Sequence, residues 1–190
     1  MSIPFSFSLA LAPFVSRRSI LTSETAERLL DGEGWASFDL GLSKSEVMFS
    51  DAGVVLPDGS VVSLEDLEEV SGRDDAVFFV EGGSVFQAAV SYGGFLKLLP
   101  TAGAPTLEID GVRMHRTVGT TPEVDARVKL DALGVDGGRV LDTCTGLGYT
   151  ALEALRRGAE HVVSVERRAG VLRLAGLNPW SAGLFSDGRM

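Results

Sequence analysis

Between Val140 and Ala151 the chain reads Val-Leu-Asp142-Thr143-Cys144-Thr145-Gly146-Leu147-Gly148-Tyr149-Thr-Ala, and few folds accommodate that order of residue types. An apolar strand runs into an acid, a glycine-containing loop follows, and a helical pattern opens directly behind it. Strand, tight loop and helix in that order are the first half of a parallel crossover. Glycines at 146 and 148 remove the Cβ atoms that would hold a ligand off the main chain, and they tolerate positive φ. A second apolar run, His161 to Val165, ends in Glu166, eighteen residues beyond Gly148. An acid at that position can accept both hydroxyls of a ribose.

Two ligand classes use such a loop. Gly146-x-Gly148-x-x-Ala151 fits the dinucleotide fingerprint formally, although that pattern alone is weak. In nicotinamide sites the strand runs straight into the first glycine and the helix N-terminus faces a pyrophosphate. Here Asp142-Thr143-Cys144-Thr145 intervenes. An acid four residues before the glycine opposes a pyrophosphate but suits a ligand carrying an ammonium and a sulfonium, as S-adenosylmethionine does.

On these residues the sequence resembles the class I S-adenosylmethionine-dependent methyltransferases, whose first motif is acid-x-Gly-x-Gly-x-Gly. Residues 142 to 148 match it, with Cys144 at the first glycine position. Val140 to Tyr149, Ser164-Val-Glu166 and Leu177-Asn-Pro-Trp-Ser181 are similar to an archaeal family of largely uncharacterised predicted methyltransferases. Ser37 to Ser43 and Glu108 to Arg116 are similar to that family's N-terminal half. The resemblance runs from about Phe14 to Met190, and that family also places Cys at the position of Cys144.

The resemblance implies an α/β protein in two parts. Residues 1–116 would form a small, mostly antiparallel β domain with short helices, and residues 117–190 a partial Rossmann-like parallel sheet. It implies a transferase using S-adenosylmethionine as cofactor, with an unknown methyl acceptor. Asp142 would contact the methionine amino group indirectly, and Thr145 to Gly148 would bring main chain against the ligand. Glu166 would take the ribose hydroxyls, with Arg167 beside the adenine edge. Thr143, Cys144 and Leu147 complete the candidate set, with Tyr149 open between lining the pocket and packing. An aminopropyltransferase of the polyamine-synthase type, which also sets a small β domain before such a half, is the alternative enzyme. A non-catalytic fragment, or one half of a split enzyme, is the alternative outside catalysis.

Only two strands of the expected sheet can be counted, Arg139 to Thr143 and His161 to Val165. A motif strand in mid-sheet is buried on both faces, so its unpaired side would be an open apolar edge. The resemblance places the acceptor-side motif past Met190. A truncated or split enzyme is therefore expected, with a partner chain or a second copy over that edge.

Local signals set the remaining expectations. Thr22-Ser-Glu opens a short helix that stops at Gly32, Trp35 to Leu40 reads as a strand, and Ser63-x-x-Asp66 as a capping box. Glu81-Gly-Gly83 signals a hairpin whose second strand is Ser84 to Val90. Thr121-Pro122-Glu123 starts a helix with a capping hydroxyl, Val124, Val128 and Leu133 form its apolar face, and Gly134 ends it. Ala151, Leu152 and Leu155 predict the buried stripe of the next helix. Val171, Leu174 and Ala175 predict that of the last, which Asn178-Pro179 terminates.

The formal charge of −9 argues against the chain holding nucleic acid or an anionic membrane by itself. Its one cysteine cannot form an intrachain disulfide, which makes a reducing, cytoplasmic setting the expectation. Ile3 to Val15 is apolar, but no Lys or Arg precedes it and Arg17-Arg18 follow, the reverse of a signal peptide. It is also shorter than the roughly 20 residues a bilayer needs, which leaves a strand-like or disordered N-terminus. His115 and Arg116 stand at the junction of the halves, where His115 is a candidate base or a linker hydrogen bond. Trp180 reads as a packing anchor or a ring that stacks on adenine. No set of His, Cys and acids has metal-ligand spacing, and no Gly-x-Ser-x-Gly elbow occurs.

Overall fold

A computed structural model describes residues 18–91 and 93–190, so the expectations for Ile3 to Val15 lie outside the described residues. The chain opens with β1 (Ile20–Leu21) and α1 (Ser23–Leu30). Five short strands follow: β2 (Trp35–Ala36), β3 (Ser45–Glu46), β4 (Met48–Ser50), β5 (Gly53–Val55) and β6 (Val61–Val62). After α2 (Leu64–Ser71) come β7 (Phe78–Glu81), β8 (Ser84–Gln87), β9 (Ala89–Ser91), β10 (Phe95–Leu99), β11 (Thr106–Ile109) and β12 (Val112–Arg113). The second half runs α3 (Pro122–Leu133), β13 (Arg139–Asp142), α4 (Tyr149–Arg156), β14 (His161–Ser164) and α5 (Ala169–Leu177). A 3-10 turn at Pro179–Ser181 then leads into α6 (Gly183–Ser186).

The sheet of the second half differs from expectation. The described strands form five small sheets, ordered β1-β7-β8, β12-β11-β10-β9, β13-β14, β2-β3 and β4-β5-β6. Only β13 and β14 pair in parallel, with Arg139 opposite His161 and Asp142 opposite Ser164. Among the described residues no extended parallel sheet forms, so the Rossmann-like, α/β assignment is corrected to a set of short antiparallel sheets joined to one parallel pair. The physical reason lies in the connections. A parallel pair needs a crossover of a dozen or more residues, and between its strands this chain supplies one, through α4. Apart from β1 and β7, the paired strands of the first half are linked by turns and short loops that reverse the chain. Nor is β13 buried on both faces: Leu141 is 66% exposed, with Val163 and Val165 also open to solvent.

Local chemistry accounts for the elements that match. Thr22 caps α1 by accepting from the Thr25 N–H, and Ser63 caps α2 by accepting from the Asp66 N–H. Gly134 closes α3 in the left-handed region, as a C-terminal glycine does. Val171, Leu174 and Ala175 are buried on α5 as the spacing predicts. The run Ser84 to Val90 is instead broken at Ala88, whose N–H donates to Val77 O while its carbonyl accepts from Leu98 N–H. That residue carries the chain from one sheet to the next and is fully buried. The run from Trp35 ends after Ala36. Leu40 then adopts φ 59°, and the Asp39 carboxylate holds the loop through Ser37 Oγ and the Ser43 N–H.

In α3 the expected face is the wrong one. Val128 and Leu133 are exposed, while Pro122, Asp125, Ala126 and Leu130 turn inward. Leu130 packs with Ala151, Ala154 and Leu155 of α4, and Ala126 with Leu107 and Tyr149. The expected capping hydroxyl is engaged elsewhere: Thr121 Oγ1 donates to Glu123 Oε1. Val128→Lys should therefore change stability by less than about 0.5 kcal/mol in chemical denaturation, as surface changes do. A loss of about 2 kcal/mol would show that this face packs in solution.

The cores join the halves. One cluster lies within the first half around Leu21, Leu29, Val54, Leu67 and Val70. A second takes Ile20, Val77, Leu96 and Leu98 from the β sheets together with Leu147, Tyr149, Val171 and Leu174. Among the described residues, no helix is long and apolar enough to cross a membrane.

Candidate functional site

The loop between β13 and α4 is folded by its own polar groups. Val165 N–H donates to Asp142 O and Thr145 N–H donates to Val165 O, so the loop turns back over the end of β14. Gly148 N–H then closes a turn on Thr145 O at 2.7 Å, with Gly146 at φ 55° and Gly148 at φ 81°. Both φ values are ones that L side chains resist. The two glycines do different work. A Cβ on Gly148 would sit 2.2 Å from Leu184 Cδ1, whereas one on Gly146 meets nothing within 4 Å. Gly148 therefore packs α4 against α6, and Gly146 leaves bare main chain beside open space.

Both acids are brought to this loop. Glu166 Oε2 accepts from the Gly146 N–H at 3.0 Å and Oε1 from the Arg168 N–H at 2.9 Å. Asp142 Oδ1 accepts from the Cys144 N–H at 3.3 Å, and Oδ2 from Ser164 Oγ at 3.0 Å. Ser164 Oγ also lies 2.7 Å from Thr145 Oγ1. Asp142 is thus a brace for its own loop.

A cavity of about 430 Å³ opens here, within the range of small-molecule sites. Of the candidate residues, Cys144, Thr145, Gly146, Tyr149 and Glu166 line it, with Thr150 and Arg168 beside them. Asp142, Thr143, Leu147, Gly148 and Arg167 are not among its lining residues. Leu147 is fully buried in the shared core, and Thr143 and Arg167 face solvent. The opposite wall comes from the first half and from α3, through Leu107, Met114, His115, Asp125 and Lys129.

His115 is more defined than a junction residue need be. Its Nδ1 accepts from the Leu107 N–H at 3.4 Å and lies 3.0 Å from Thr106 Oγ1. A ring nitrogen that accepts from an amide carries no proton, which puts the proton of the neutral ring on Nε2. Burial, reinforced by the charge of Lys129, pushes its pKa down to about 4 against the opposing pull of Asp125. The ring is therefore neutral near pH 7, and its free nitrogen is a donor. This disfavours the reading of His115 as a base.

Tyr149 packs its ring against His115, with centroids 5.2 Å apart. Its hydroxyl donates to Pro105 O at 2.7 Å and accepts from Asn178 Nδ2 at 2.9 Å, and burial drives its pKa upward. Asn178 Nδ2 also donates to Ser181 Oγ, which donates to Leu147 O, each at 2.7 Å. Trp180 Nε1 donates to Leu40 O at 3.0 Å. Leu177-Asn-Pro-Trp-Ser181 is thus a clasp: it holds the glycine loop to the end of α5 and that end to the loop at Leu40. Sequence reasoning saw Asn178 as a helix terminator and Ser164 only as part of a family motif, and it missed Asp125. The signal available for Asp125 was its spacing of one turn from Lys129.

Comparison with known protein families finds no match. Among curated proteins, the chain is 41% identical over 176 residues to an uncharacterised protein of Methanocaldococcus jannaschii. The alignment covers 88% of this chain, and the chain spans 60% of the length of that curated relative.

Proposed function

We propose that the cavity beneath the glycine loop binds S-adenosylmethionine and that the chain supplies this binding site for methyl transfer. One observation carries the reading: Gly146 presents uncovered main chain to a cavity whose neighbouring wall is the Glu166 carboxylate. The chemistry of the loop suits a nucleoside. A carboxylate has about four lone-pair sites, and the two loop amides on Glu166 occupy two, leaving acceptors for a vicinal diol. Those amides also hold the carboxylate in place before a ligand arrives. A side chain at 146 would project into the space the ligand needs.

S-Adenosylmethionine supplies a methyl group on a cationic sulfur, open to displacement by a nucleophile. This chain's residues align it through Glu166 and the main chain at Thr145 and Gly146. Alignment of two reactants accounts for much of the acceleration such reactions need.

Titration calorimetry tests the reading. Glu166→Gln should weaken S-adenosylmethionine binding by about 1–3 kcal/mol, the effect of losing a charged acceptor. Unchanged affinity would remove Glu166 from the site, and no binding by the wild type at millimolar ligand would end the proposal. Tighter binding of the decarboxylated compound would favour aminopropyl transfer instead.

A second reading draws on the exposed apolar face of Leu141, Val163 and Val165. An open face of this kind fits a chain that works as part of a larger assembly, which predicts a concentration-dependent mass in sedimentation.

A further inference from the structure

Helix α3 turns its less apolar face inward. Val128 and Leu133 stay 56% and 72% exposed, while Asp125 is 8% exposed and lines the cavity with Lys129 one turn along. Burying a carboxylate while leaving aliphatic groups in water opposes the ordinary driving force. Such conflicts between local pattern and fold concentrate at functional positions. Asp125 Oδ2 accepts from Lys129 Nζ at 2.7 Å, which orients the carboxylate and leaves it further lone pairs. His115 lines the same wall with its Nδ1 already satisfied, so the ring offers an N–H. Leu107, Ile109, Met114, Ala126 and Val171 add apolar lining to the same cavity.

A carboxylate acceptor and a neutral N–H donor, set in apolar walls, match one group well. We propose that Asp125 and His115 form an acceptor subsite for a neutral carboxamide or lactam, its N–H on Asp125 and its carbonyl oxygen on His115 Nε2. A carboxylate ligand would meet Asp125 and Glu166 unfavourably. An ammonium would face the His115 donor and the Lys129 charge. The subsite deepens the methyl-transfer reading and rests on it only for the chemistry. There, the amide nitrogen forms a bond to the methyl carbon as the carbon–sulfur bond breaks. The electron pair of the broken bond stays on sulfur, and the N–H proton passes to the Asp125 carboxylate.

Saturation-transfer NMR on the full chain tests this with benzamide and benzoate as probes, with and without S-adenosylhomocysteine. Benzamide should bind about tenfold tighter than benzoate, the factor that one poorly paired polar group produces. Asp125→Asn and His115→Leu should each weaken benzamide by about fivefold or more, while calorimetry shows S-adenosylhomocysteine affinity within about twofold of wild type. Benzoate binding as tightly as benzamide would overturn the subsite, and that comparison needs no variant to fold. Benzamide affinity unchanged in both variants would overturn it as well. Benzamide selectivity without any S-adenosylhomocysteine binding would keep the subsite and discard the methyl-transfer reading; the opposite pattern would do the reverse.

Discussion

Gly148→Ala is expected to destabilise the protein by about 3 kcal/mol, adding an αL penalty of roughly 1–2 kcal/mol to an overpacking cost of similar size. Both parts follow from geometry. At φ 81° any Cβ is disfavoured, and this one would lie 2.2, 2.5 and 2.6 Å from Leu184 Cδ1, Cδ2 and Cγ. Leu184 packs against both the shared core and the α3–α4 core, so moving it disturbs both. For a chain of this size the melting temperature should fall by roughly 6–12 °C. Gly146→Ala is the control. It shares the positive φ but meets nothing within 4 Å, so it should lose only about 1 kcal/mol of stability while obstructing the cavity. Leu184→Ala should restore part of the Gly148→Ala loss, the steric part alone. Equal melting temperatures for the two glycine variants would show that Leu184 does not hold the position described.

Asn178→Ala is the second large effect, a loss of about 2–4 kcal/mol in denaturant unfolding, because buried polar groups left without partners each cost about 1–3 kcal/mol. Asn178 is fully buried, and its amide serves Tyr149 Oη, Ser181 Oγ and the Trp180 N–H. Alanine would leave three groups short of a partner at once. Tyr149→Phe removes one partner from the same network and should be milder. The double variant should fall short of the sum of the two, since both changes break one shared bond. Strict additivity would mean that Tyr149 and Asn178 are not coupled. A loss below about 0.5 kcal/mol for Asn178→Ala would place that side chain in contact with water.

These positions also show where sequence reasoning reaches and where it stops. The hairpin at Glu81-Gly82-Gly83, the Ser63 cap and the Gly134 stop are local devices, settled by a few neighbouring residues, and each was legible. The strand–loop–helix order around Gly146 was legible for the same reason. The sheet it belongs to was not, because sheet size is fixed by pairings between distant segments. The inward face of α3 was misjudged because Val124, Val128 and Leu133 have the right spacing, while packing against α4 and the cavity selects Ala126, Leu130 and Asp125. Asp142 and Glu166 could be recognised as acids beside a glycine loop. That both would bond the loop's own amides depends on a turn whose path only the coordinates give. Asn178 was legible as a helix end but not as a clasp, since its partner Tyr149 lies 29 residues away.

The walls of the cavity come from both halves of the chain, with His115 and Leu107 lining it alongside Gly146 and Glu166. A molecule held there contacts both halves at once. Any occupant therefore acts as a rivet, adding its free energy of association to the cohesion of the entire polypeptide rather than to one part of it.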